Sequence, residues 1–164
     1  MKKLILLSML SIILVSACVS DGFGRVDTDQ PIDPSTGYIA FKPPAKTNFS
    51  LTLLNLDTNK KVIIGVSSDK HILYSLTPGN YGIITFNAMA DTSPRQTIVF
   101  TMRVPLEMMR AIKIEPGTAV YIGDITLRAA GKGVEQIYDY NLLQARRSLS
   151  ETYLNMSDIK VVSF

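Results

Sequence analysis

The chain has no tryptophan, one histidine and one cysteine in 164 residues, and each scarcity removes a class of mechanism. With a single cysteine no intramolecular disulfide can form, so stability must come from a packed core. One histidine and one cysteine fall short of the three or four ligands of a His/Cys zinc site, and they leave most nucleophilic designs without their parts. Sugar-binding β-sandwiches commonly present exposed aromatics. Without tryptophan that role passes to the seven tyrosines, and Tyr38, Tyr74, Tyr81 and Tyr121 fall in strand-like runs, where burial with a bonded hydroxyl is expected. Long apolar runs are scarce too. Only Leu4 to Val15 is continuous, broken by Ser8 and Ser11, and it is too short for a bilayer core that takes about 20 residues to cross.

That run has a specific setting. Lys2 and Lys3 precede it and Val15-Ser16-Ala17-Cys18 ends it, the layout of an export signal. The segment resembles the signal sequence of bacterial lipoproteins, whose lipobox is an aliphatic residue, two small residues and a cysteine. The resemblance covers residues 1–18 and implies cleavage between Ala17 and Cys18, with the Cys18 thiol carrying a diacylglyceryl group. Three acyl chains in all would exceed the two-signal threshold for stable anchoring. The alternative is an ordinary secretory signal cleaved after Ala17, leaving Cys18 a free thiol. Val19, where enteric-type sorting reads aspartate as a retention signal, implies a lipid-anchored protein of the cell envelope at the outer membrane. Removing residues 1–17 takes two of the 17 basic residues and none of the 14 acidic ones, leaving a formal charge of +1. Nucleic acid is therefore not an expected partner.

Residues 18–37 hold Gly22, Gly24, Pro31, Pro34 and Gly37 and few large apolar side chains, which predicts a flexible tether reaching about 65 Å when extended. Asp27, Asp29 and Asp33 do not make an EF-hand loop, because Pro31 and Ile32 stand where an oxygen ligand and a glycine belong. From Tyr38 to Phe164 the texture is that of one domain. Short β-branched and aromatic runs alternate with turns such as Asp57-Thr58-Asn59-Lys60, Pro78-Gly79 and Pro116-Gly117. Strands are predicted at 38–41, 49–56, 61–66, 72–76, 81–87, 96–104, 111–115 and 119–128, and a short one at 134–138. Residues 105–110 suit a helical turn as well as a strand. So many short strands predict a mainly β protein, a two-layer antiparallel sandwich. Leu76-Thr77-Pro78-Gly79-Asn80-Tyr81 resembles the hairpin of prealbumin-like and carboxypeptidase-regulatory-like β-sandwiches, a likeness that carries no site. Leu142, Ala145, Leu149, Tyr153 and Met156 recur at helical spacing. They predict one C-terminal α-helix near 142–156, with Asn141 as its cap, before a last strand at 159–164.

Chemistry is thinly represented. His71 is expected as a surface residue beside a turn. Ser67-Ser68-Asp69-Lys70 matches the S-x-x-K of penicillin-binding enzymes but lies between two β runs and lacks their S-D-N and K-T-G partners. Met89, Met102, Met108 and Met109 could bind Cu(I) through thioethers, against the ordinary role of methionine as adaptable core filling. Arg95, Arg103, Arg110, Lys113 and Arg128 are expected on a solvated face, the alternative being a patch for an anionic polymer or lipid headgroups. Hydrolysis would need carboxylates such as Glu107, Glu115 or Asp124 to converge. No catalytic residue, metal ligand or cofactor is assigned. The expected role is a membrane-anchored lipoprotein acting as a non-catalytic structural or interaction module of the envelope, binding another envelope protein or a polymer. The alternative is ligand or copper delivery through a groove lined by tyrosine and methionine, favoured by exposure of Met102, Met108 and Met109 and opposed by their burial.

Overall fold

The computed structural model describes residues 24–93, 96–130 and 133–164. The predicted signal segment, with Ala17 and Cys18, and Arg95 lie outside the described residues. The strands are β1 (Gly24–Arg25), β2 (Gly37–Lys42), β3 (Asn48–Asn55), β4 (Lys61–Val66), β5 (Ile72–Leu76), β6 (Gly79–Ser93), β7 (Gln96–Arg103), β8 (Ile112–Ile114), β9 (Thr118–Ala130), β10 (Gly133–Asp139) and β11 (Lys160–Ser163), with one α-helix, α1 (Leu142–Thr152). Leu106–Met108 is a single 3-10 turn, which decides the character of the 105–110 segment. Among the described residues no helix is long and apolar enough to cross a membrane.

Two sheets face each other, and α1 covers one of them. The first sheet runs β1-β5-β2-β9-β10 with β11 also on β9, and the second runs β4-β3-β6-β7 with β8 also on β6. The protein is thus a mainly β sandwich with a C-terminal helix. Pairing is antiparallel except where β9 takes β2 and β11 as parallel neighbours. Alternation along the strands sorts the side chains. On β2, Ile39 and Phe41 enter the core between the sheets, whereas Tyr38 and Ala40 face the helix layer. Burial on both faces explains why this strand reads as an unbroken apolar run. On β3 and β4, Phe49, Leu51, Leu53, Val62, Ile64 and Val66 point inward, and the residues between them are more exposed.

The helix forms where its periodicity predicts. The Asn141 side chain accepts a hydrogen bond from the Gln144 N–H at 3.1 Å, and Ala145 and Leu149 are buried against Ala40 and Ala119, whose small side chains let the helix approach the sheet. The helix stops short of the expected Met156. Tyr153 turns extended, and its hydroxyl accepts from the Leu73 N–H at 3.0 Å, filling the place of a strand partner beyond the two-residue β1. Arg146 fastens the helix to β11 by donating to the Val161 carbonyl at 2.6 Å.

Residues 24–37 differ from a free tether. Gly24 and Arg25 pair with Ser75 and Tyr74, the Val26 N–H donates to Leu73 at 3.1 Å, and Ile32 is buried beneath the helix layer. Asp33 closes a turn by accepting from the Ser35 N–H at 2.8 Å, and its carbonyl accepts from the Tyr38 hydroxyl at 2.6 Å. The proline and glycine content marks irregular backbone, but irregular backbone with such anchors is still docked.

Each sheet has one long strand whose outer edge is shared by two short ones. On β6, β7 pairs with residues 85–93 and β8 with residues 79–81. On β9, β10 pairs with residues 124–130 and β11 with residues 118–121. The Phe41–Phe49 and Phe86–Tyr138 ring contacts, at 5.9 and 6.1 Å, set β2 over β3 and β10 over β6. The two joints therefore fall on the same side of the sandwich.

Candidate functional site

Where the joints meet, a cleft of about 260 Å3 opens into the core. Ile83 and Ile122, from the unshared residues of β6 and β9, form its walls with Phe86 and Tyr138, and Val104, Met108, Met109, Arg110, Tyr140 and Phe164 complete it. Two glycines permit the joint. Gly123 has φ +106, a conformation strained for any side chain, and a Cβ there would lie a tight 3.3 Å from both the Asp139 carbonyl and the Tyr140 ring. At Gly82 a Cβ would collide with the Met109 thioether. Tyr138 and Tyr140 are stacked at 6.1 Å, and burial pushes the Tyr138 hydroxyl pKa above its usual value.

The methionines of the alternative, ligand-delivery reading are divided between surface and core. Met108 is exposed, Met109 is half-buried in the cleft wall, and Met102 is half-buried against the main core. Two adjacent thioethers thus face the cleft, and Met89 stands apart on the outer face of the second sheet.

His71 is a correction. Expected at the surface, it is 4% exposed, and its Nε2 lies 2.9 Å from Asp124 Oδ1. The same carboxylate oxygen accepts from the Tyr121 hydroxyl at 2.5 Å, which also reaches the Asp139 carbonyl at 3.2 Å. An ionised carboxylate only accepts, so His71 donates from Nε2. Burial first, and then the Asp124 contact, raise the Tyr121 pKa. Strand register explains the meeting: Phe41 pairs with Ile72 on one side of β2 and Lys42 with Asp124 on the other, so residues 71 and 124 flank Lys42 in one row.

The remaining candidates do not converge. Glu115 pairs with Lys113 at 2.6 Å, and Arg128 with Glu135 at 2.7 Å. Each is an exposed pair of small energetic weight. Among the described residues no group of three His, Cys, Asp or Glu side chains could hold a metal. In the S-x-x-K segment, Ser68 Oγ accepts from the Lys70 backbone N–H at 3.1 Å, a turn contact rather than a serine–lysine pair.

The second sheet leaves its outer face open, opposite the helix-covered face of the first. Ile63 and Val99 are 67% and 62% exposed, with Met89 at 43%. Between them runs a row of Gly65, Ser50, Asn87 and Thr101, where Gly65 has open space around its missing side chain. β4 ends this sheet, so among the described residues one side of its backbone has no strand partner. Sequence reasoning predicted these strands but not which face the helix would leave bare.

Gln136 is a local defect. Neither amide atom has a hydrogen-bond partner among the described residues, although both are buried. A buried amide without partners costs about 1–3 kcal/mol. Gln136→Leu, of similar size, is expected to raise stability by about 1 kcal/mol, measured as a higher urea midpoint at unchanged slope.

No family model and no curated protein matches the chain. Among solved structures, a leucine-rich repeat protein from Bacteroides thetaiotaomicron is similar over 57% of this chain and 14% of its own length, at 11% identity and a TM-score of 0.40. The chain therefore spans about a seventh of that protein, and so slight a likeness informs neither fold nor function.

Proposed function

We propose that this protein is a lipid-anchored lipoprotein of the bacterial outer membrane whose β-sandwich acts as a non-catalytic interaction module. The observation that carries the reading is the outer face of the second sheet, bare among the described residues, together with the β4 edge, which no described strand pairs. An edge strand with free N–H and C=O groups and an exposed Ile63 suits addition of an extended strand from another protein, with main-chain hydrogen bonds giving affinity and side chains giving selectivity. The anchor adds a constraint. Residues 19–23 are all that separate Cys18 from the docked Gly24, a reach of about 20 Å at full extension. β1 and β4 lie on the same side of the sandwich, given the facing of β2 over β3. A partner on β4 is accordingly a membrane-proximal envelope protein.

The test is site-specific photocrosslinking in intact cells. A benzoylphenylalanine at position 63 is expected to give one discrete adduct with an envelope protein, and one at position 143, which is exposed on the helix, is expected to give none. No adduct at 63, or the same adducts from both positions, removes the reading.

A second reading, carriage of a small ligand, is favoured by the cleft and its Tyr138, Tyr140, Met108 and Met109 lining. As a copper site the cleft offers only two thioethers from neighbouring residues, short of the usual three soft ligands. An organic ligand suits it better.

A further inference from the structure

We propose that the cleft binds a single unbranched apolar chain with an anionic head, the chain lying along Phe86, Ile122 and Tyr138 and the head at Arg110. The inference rests on the ligand-carriage reading and names the ligand's chemistry. Three features of the site select it. The cavity, about 260 Å3, is at or below the small end of ligand pockets, roughly 300–1,000 Å3, which fits a thin chain better than a fused ring system. Its walls are mostly apolar or aromatic and reach Phe86 and Ile122 of the main core, so methylene groups entering it leave water for apolar contact. Arg110 is the one charged side chain among the residues that line it, is exposed, and makes no ion pair with any described residue. A guanidinium at the mouth of a slot whose other lining side chains are uncharged is suited to a carboxylate or phosphate by bidentate hydrogen bonding.

The rim points the same way. Met108 is 70% exposed and Phe164 42%, an apolar lip beside the cation that a bound chain would cover. The flexible Met108 and Met109 side chains can follow the contour of an alkyl chain without a fixed shape of their own. A fatty acid and a single-chain lipid with an anionic headgroup share this chemistry.

The experiment uses the full-length lipoprotein in nanodiscs with methyl-labelled methionine, titrated with dodecanoate, with dodecanol and with the dodecyl phosphate monoester at matched free concentrations. Dodecanoate is expected to shift the Met108 and Met109 methyl resonances saturably and to bind at least tenfold tighter than dodecanol. Arg110→Gln, a change at an exposed site, is expected to abolish that preference while dodecanol binding is unchanged. Tighter binding of the phosphate than of the carboxylate would assign the site to a lipid headgroup, and the reverse to a free fatty acid. Equal binding of dodecanoate and dodecanol, insensitive to Arg110→Gln, would overturn the anionic head and leave ligand carriage standing. No methyl shift with any of the three would overturn both.

Discussion

Asp124→Ala is expected to lower the unfolding free energy by about 3 kcal/mol, a large share of the 5–15 kcal/mol typical of a domain. Asp124 Oδ1 is the common acceptor for His71 Nε2 and the Tyr121 hydroxyl. Truncation leaves the His71 donor buried with no other side-chain partner among the described residues and leaves Tyr121 with only the longer bond to the Asp139 carbonyl. Each stranded or weakened donor costs about 1–3 kcal/mol. The helix layer adds to the effect, because Tyr121 belongs to the cluster that seats Ala145 and Leu149. Asp124→Asn keeps an acceptor oxygen and should lose about 1 kcal/mol, and Tyr121→Phe a similar amount. Urea unfolding of the three variants measures the order. An alanine variant within about 0.5 kcal/mol of the parent would mean that the cluster does not hold β5 to β9.

Cys18→Ser is expected to have the largest effect on the protein's whereabouts and almost none on its fold. The proposed anchor depends on a thiol as acyl acceptor, which serine does not replace. The variant should accumulate as the unprocessed precursor with residues 1–17 retained and no lipid mass. The difference is all or none, because each buried methylene contributes about 0.8 kcal/mol and several acyl chains act together. The folded domain should be unaffected, since the first described pairing begins at Gly24, beyond the substituted residue. Its urea midpoint, compared with that of the processed protein, is the control.

Local physics made most of the fold legible. Strands at 49–56 and 61–66 follow from period-two burial and from turn residues whose conformations are demanding, as at Asn59 with φ 58. Asn141 announces its helix because a cap acts within three residues. What stayed hidden is non-local. His71 and Asp124 are 53 residues apart and meet only because β2 pairs antiparallel with β5 and parallel with β9, and neither pairing leaves a mark on the two residues themselves. The cleft likewise depends on two strands sharing an edge twice over. Its methionines and tyrosines could be picked out by type, but Arg110 at its mouth read as one solvated cation among several. Residues 24–37 misled because composition reports irregular backbone, not its attachment, and the lone buried Ile32 is too sparse a signal to be counted as core.

The central claim, a lipid-anchored module, is tested most directly by the intact mass of the protein extracted with detergent from membranes. The predicted result is a chain beginning at Cys18 and heavier than its amino acids by a diacylglyceryl group and an amide-linked acyl chain. A chain beginning at Cys18 with an unmodified thiol, or one cleaved at another position, would contradict it.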